Sequence, residues 1–159
     1  MNGGLSVIVK TVTRWVIDFI FLYGLFLTAY GHLSPGGGFP GGVTIASAYI
    51  LIMLAFGKEK LYENIGFKTA SRLDCTAALA FLAVALLGFA YAGPFFVNFI
   101  QKRLPGTDFE LLSAGIIPIC NIAITLKVSA SLLLVAVALS AVRVVPGGTD
   151  EQFQAEEEE

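Results

Sequence analysis

Lys127 is the residue whose position in the sequence most strongly indicates chemistry. It is the only charged side chain between Leu111 and Val142, in an otherwise apolar stretch. A lysine in the middle of a membrane helix costs about 2.5–3.5 kcal/mol on insertion scales, so its amine needs shielding and a partner. We interpret Lys127 either as part of a proton or cation path or as half of a structural ion pair. Because no carboxylate in the sequence is an obvious match, we expect a neighbouring protein chain or internal water to compensate its charge.

Asp18 and His32 are two further candidates for the ion path, at either end of the first apolar stretch. They are 14 residues apart, nearly four turns, so a regular helix would place them on one face. Imidazole exchanges protons near neutral pH, which suits a relay. The simpler interpretations are that Asp18 lies at the membrane interface beside Arg14 and Trp15, and that His32 makes a hydrogen bond at a helix end.

The remaining polar residues do not suggest enzyme chemistry. Cys75 and Cys120 are far apart and form no CxxC pair, which disfavours a disulfide or a thiol-redox site. The sequence has no metal-ligand cluster, no cofactor motif and no basic patch for nucleic acid. We therefore expect no bound cofactor and a non-catalytic role. A membrane thiol oxidoreductase is the enzyme alternative, but it would need a cysteine pair.

The composition predicts that membrane helices position these residues. Hydrophobic residues make up 56% of the chain and charged residues 14%, against about a quarter charged in soluble domains. The mean hydropathy is +0.78. A helix needs about 20 apolar residues to cross the hydrocarbon core. We predict an all-α integral membrane protein with four transmembrane helices, near Val12–Gly31, Gly41–Phe56, Cys75–Ile100 and Pro118–Val142.

Polar segments separate the predicted helices. Gly57–Asp74 and Gln101–Glu110 are expected to be solvent loops, and Leu111–Ile117 a lead-in along the membrane surface. Gly93 and Pro94 should kink the third helix or end it. Residues 1–145 would form one transmembrane domain, and 146–159 an acidic, disordered cytoplasmic tail.

The positive charges predict the orientation of the chain in the cell membrane. With four spans, both termini and the middle loop share one side, which carries Lys10, Arg14, Lys58, Lys60, Lys68, Arg72 and Arg143. The opposite side has only Lys102 and Arg103. Because lysine and arginine accumulate in cytoplasmic loops, we expect a multi-pass protein with both termini in the cytoplasm.

A glycine-rich segment separates the first two predicted helices. It lacks the lysine and serine or threonine that end a Walker A loop, so a phosphate site is not indicated. Without Cβ atoms the segment can turn tightly and allow close approach of a neighbouring backbone. The pattern by itself favours a simple turn between two helices, and we also predict tight packing of the segment against another chain. Its motif residues are Gly31, His32, Pro35, Gly36, Gly37, Gly38, Phe39, Gly41 and Gly42.

This GH-x-x-PGGGF-x-GG pattern resembles the signature of the MnhB/MrpB family, whose members are small membrane subunits of multisubunit Na⁺/H⁺ antiporters. The stretch from Gly115 to Val128, in which Asn121 and Lys127 precede an apolar helix, is similar to a second family segment. The resemblance covers most of residues 10–145 and the four-helix layout.

The resemblance implies a small membrane subunit without a redox centre, in an antiporter module that carries cations (Na⁺) and protons. Its partners would be other antiporter-module membrane subunits in a hetero-oligomer within the lipid bilayer. The same module occurs in archaeal membrane-bound respiratory complexes, so hydrogenase or sulfur-reductase-type subunits are further expected partners.

Two other roles stay open on the sequence alone. The chain could be a purely structural scaffold between transporting subunits, with no ion site. It could also be a small, self-sufficient transporter that acts as a homodimer of four-helix subunits.

Overall fold

The computed structural model describes residues 6–57, 60–61, 65–93, 95–103 and 114–141, and all regular structure in these ranges is helical. We number the helices α1 to α5 in chain order. They are α1 (Val7–Ala29), α2 (Gly38–Phe56), α3 (Phe67–Ala92), α4 (Phe99–Arg103) and α5 (Ile117–Ala141).

The helices α1, α2, α3 and α5 are long and apolar enough to cross a membrane. Between 17% and 33% of the residues in their most apolar windows are buried inside the chain, so most of their apolar surface faces outward. In water such a surface would cause aggregation, whereas lipid tails or neighbouring membrane helices solvate it. The all-α fold with four membrane helices is therefore confirmed.

The first and third helices begin earlier in the sequence than expected. The α1 helix starts at Val7 instead of Val12 and α3 at Phe67 instead of Cys75, which corrects the prediction of a solvent loop as far as Asp74. The reason for the earlier start of α3 is packing, since Ala70 on its first turn is 2% exposed and lies in the core cluster. An apolar run marks the part of a helix within the membrane and not its end.

Some of the predicted helix ends agree with the structure and others do not. The α1 helix ends at Ala29 with Tyr30 as its cap, so His32 lies in the following turn and the expected common helix face with Asp18 does not form. Gly93 ends α3 with φ +88°, a backbone conformation that favours glycine. The end at Gly93 is thus confirmed, and the extension to Ile100 is wrong.

The last membrane helix agrees with the prediction within one residue at each end. Its lead-in is not a separate helix in the described part, because residues 114–116 form a turn and 111–113 lie outside the described residues. The acidic tail also lies outside them, so the domain boundary at 145 stays a prediction.

The helices pack in the order α1, α2, α5, α3, so that α2 and α5 are central. The core cluster on the α2–α5–α3 side consists of Met53, Leu61, Ala70, Leu133 and Val137. In this packing order α3 lies beside α5. Polar residues of these two helices can therefore contact each other.

Candidate functional site

Lys127 and Asp74 form an ion pair between α5 and α3. The Lys127 Nζ atom lies 2.6 Å from each carboxylate oxygen of Asp74, and the Ser131 hydroxyl donates a hydrogen bond to Asp74 Oδ1. We call these three residues the Asp74 cluster. The expectation that no carboxylate of this chain would match Lys127 is wrong. It fails because it assigns Asp74 to a loop, whereas Asp74 lies about two turns inside α3.

Small side chains allow this pairing. Ala70 of α3 is 2% exposed and lies in the core cluster with Leu133 and Val137 of α5, and a small residue at such a contact allows close helix packing. Lys127 and Ser131 are four residues apart on α5 and share one face of the helix. Both side chains consequently reach the same carboxylate.

The Asp74 cluster lies inside two of the predicted membrane spans. Lys127 is ten residues from the start of α5 and Asp74 seven residues from the start of α3, about 15 Å and 10 Å along the helices at 1.5 Å per residue. The Lys127 side chain is 41% exposed in the isolated chain and that of Asp74 20%. This chain therefore covers more than half of each side chain, and lipid or a neighbouring protein chain contacts the remainder.

A second set of polar contacts joins α1, α2 and α5. The hydroxyl oxygens of Thr28 and Thr125 are 2.9 Å apart, and Thr125 also donates to the Gly38 carbonyl at 3.0 Å. The Gly38 N–H donates to Asn121 Oδ1 at 3.3 Å. We call Thr28, Gly38, Asn121 and Thr125 the polar seam. It gives Asn121 a hydrogen bond between helices and is buried, which suits a structural role.

The glycine-rich segment packs against helices of its own chain. Gly37 has φ +128°, a conformation that residues with a side chain rarely adopt. A Cβ atom on Gly38 would lie 2.5 Å from the Asn121 carbonyl oxygen and 2.7 Å from Ile124 Cβ. The missing Cβ atoms therefore serve intramolecular packing. Contact with another chain stays a prediction, for which Phe39 at 64% exposed offers a surface.

Asp18 and His32 are not part of the Asp74 cluster. Asp18 is exposed on α1, no ion pair joins it to Arg14 within the described ranges, and His32 is half-buried in the turn between α1 and α2. Sequence reasoning missed Asp74, Ser131 and the two threonines of the polar seam. A usable signal was present for Asp74, because it directly precedes the charge-free run Cys75–Ile100.

The sequence of this chain matches a known protein family over most of its length. Residues 8–134 match the family described as a domain related to the MnhB subunit of Na⁺/H⁺ antiporter. The chain belongs to this family. The family relationship suggested by the glycine motif is thus confirmed.

Similar proteins come from several organisms. An uncharacterized protein of Methanocaldococcus jannaschii is 37% identical over 127 residues, which cover 77% of this chain and 47% of that protein. A putative antiporter subunit mnhB2 of Staphylococcus saprophyticus is 30% identical, with 79% of this chain and 94% of that protein covered.

A solved structure is also similar. A chain of the membrane-bound sulfane sulfur reductase, an archaeal respiratory membrane complex, matches with a TM-score of 0.70 and 35% identity. The match covers 82% of this chain and 56% of that chain. The present chain therefore spans about half the length of two of the proteins that it resembles.

Proposed function

We propose that this chain is a non-catalytic membrane subunit of a multisubunit cation (Na⁺)/proton antiporter module, and that it helps to form the ion path. Its family membership and four membrane helices support the first part. The observation that carries the second part is the Lys127–Asp74 pair, which joins two of the membrane spans. Ionisable groups inside membrane spans are costly and commonly line ion or proton pathways.

The expected partners are other membrane subunits of the module in a hetero-oligomer. The outward apolar surface of the four long helices supports this arrangement, since lipid and protein neighbours both fit it. We further propose a multi-pass location in the cell membrane with both termini cytoplasmic, as the distribution of lysine and arginine favours.

Single replacements of the three candidate residues test the role in ion transport. We expect Lys127→Met to reduce Na⁺/H⁺ exchange in membrane vesicles at least about tenfold while the complex still assembles. Asp18→Asn and His32→Gln test whether the other two candidates contribute. The control is Ser129→Ala, whose hydroxyl bonds within α5, to the Leu126 carbonyl.

The scaffold role is the second candidate, and the polar seam favours it. Its hydrogen bonds and the glycine packing hold the chain together and need no ion to explain them. If all three single variants assemble and exchange ions at the rate of the unmodified complex, the chain is a scaffold. Purification in mild detergent tests the homodimeric transporter, because co-purifying larger membrane subunits exclude it.

The host complex is either a free antiporter or a redox-linked one. Similarity to a chain of the sulfane sulfur reductase supports hydrogenase or sulfur-reductase-type partners. Mass spectrometry of the co-purified chains, with iron and nickel analysis, distinguishes the two hosts.

A further inference from the structure

We propose that Asp74 and Ser131 form an exchangeable binding site for a monovalent metal cation, in which the Lys127 ammonium is the cation bound in this structure. The inference rests on the proposed antiporter function, since it identifies where the transported cation would bind within this chain.

The geometry of the Asp74 cluster is that of an occupied cation site. One positive charge lies 2.6 Å from both carboxylate oxygens, and the Ser131 hydroxyl bonds to the same carboxylate. Carboxylate and hydroxyl oxygens are the hard ligands that alkali and alkaline-earth cations prefer. An ammonium group and a sodium ion carry the same charge, so either of them neutralises Asp74.

The two residues that hold the cation differ from Lys127 in mobility. Asp74 has a short side chain on α3 and Ser131 a short side chain on α5, so the packed helices hold both in place. Lysine carries its charge on a flexible four-carbon stem. Because 41% of the Lys127 side chain is left uncovered by this chain, packing within the chain does not enclose it on every side.

The cluster supplies only part of a metal coordination shell. Among the described residues it offers two carboxylate oxygens and one hydroxyl oxygen, whereas hard cations take about six oxygen ligands. Water and the neighbouring protein chain on the exposed side of Asp74 would provide the rest. An incomplete shell favours reversible binding, which an exchanger needs.

Competition follows from charge balance. A single carboxylate inside a membrane span tolerates one positive charge, because a second would remain uncompensated in a medium of low dielectric constant. Lys127 and the metal cation therefore exclude each other from Asp74. Removing the Lys127 charge should strengthen cation binding, and removing the Asp74 charge should abolish it.

Equilibrium binding of ²²Na⁺ to the purified, intact complex tests the site. We expect Lys127→Met to lower the dissociation constant of one sodium site about tenfold. Adding Asp74→Asn to Lys127→Met should remove that gain. Ser129→Ala, with a hydroxyl on the same helix but outside the cluster, should bind sodium as the unmodified complex does.

A second variant keeps the test valid if the Lys127→Met complex does not assemble. Lys127→Gln keeps a hydrogen-bond donor toward Asp74 but removes the competing charge, and it should show the same gain in sodium affinity. If binding by Lys127→Met and Lys127→Gln matches that of the unmodified complex, or if neither variant assembles, the pair is structural and the proposal is overturned. The two proposals can fail separately. If the unmodified complex exchanges Na⁺ for H⁺ but the Lys127 variants bind sodium with unchanged affinity, the cation site is overturned and the proposed function is not.

Discussion

At the scale of single residues, the sequence predicts one member of the Lys127–Asp74 pair and misses the other. Lys127 stands out in the sequence because a single charged residue in an apolar run is costly in a membrane and needs a partner. Asp74 does not, because it follows Lys68 and Arg72, and such a mixed-charge stretch is typical of a loop. The threonines of the polar seam escape notice for another reason, since a threonine in a helix can satisfy its hydroxyl on the preceding turn.

The pair predicts coupled effects of substitution. Asp74→Asn should lower the stability of the folded chain by about 1–2 kcal/mol, less than the roughly 3–5 kcal/mol of a fully buried pair because Lys127 is 41% exposed. Asp74→Asn combined with Lys127→Met should recover most of this loss, as no charge remains unpaired. Thermal unfolding of the purified complex measures both, and additive losses in the double variant would contradict the coupling.

The polar seam predicts a smaller effect. Thr125→Val keeps the side-chain shape but removes the donor to Gly38 and the contact with Thr28, so we expect a loss of about 0.6–1.7 kcal/mol. The matched control is Thr76→Val, whose exposed hydroxyl bonds within α3 and whose loss should be near zero. Equal melting temperatures for the two variants would show that the seam contributes nothing.

At the scale of elements, the sequence predicts the apolar extents of the helices better than their ends. The α5 helix agrees to within one residue at each end, because its apolar run and its helix coincide. The α3 helix begins before the predicted membrane run and includes the charged residues Lys68, Arg72 and Asp74, and Ala70 on these first turns packs internally. The α2 helix begins at Gly38 instead of Gly41, and its glycines are helical and pack on both sides, Gly38 and Gly42 against α5 and Gly41 against α1.

This packing predicts that α2 cannot accept a methyl group at its start. Gly38→Ala would place a Cβ atom 2.5 Å from a backbone oxygen of α5, so α2 must shift, at a cost of about 1–3 kcal/mol. Gly66→Ala is the control, because the nearest atom to its Cβ would be Thr69 Oγ1 at 4.0 Å. The amount of assembled protein in membranes should fall for Gly38→Ala only, and equal amounts would contradict the packing argument.

At the scale of the whole molecule, the four membrane helices and the family follow from the sequence, whereas the side-by-side arrangement of α3 and α5 does not. Hydropathy identifies segments that enter the membrane but carries little information on which of them touch. Contact between α3 and α5 includes the small residue Ala70 of α3 beside Leu133 and Val137 of α5. Their pattern resembles that of any apolar helix.

The predicted orientation can be tested by labelling single cysteines after Cys75 and Cys120 are replaced by serine. Leu33→Cys suits the outer turn, since Leu33 is 38% exposed, whereas a side chain at Gly36 would press on the Leu27 carbonyl at 3.2 Å. A membrane-impermeant maleimide added to intact cells should label position 33, and Gln152→Cys only after permeabilisation. The reverse pattern would place the termini outside.

The side-by-side position of α3 and α5 also has a consequence for biosynthesis. Translation produces α3 before α5, so Asp74 enters the membrane before the lysine that neutralises it has been made. The α1–α2 pair can form at once from adjacent segments, while α3 has to wait in lipid with an uncompensated or protonated carboxyl group. The α5 helix therefore completes the packing of these four helices, because it supplies both the partner of Asp74 and the surface that joins α3 to α2.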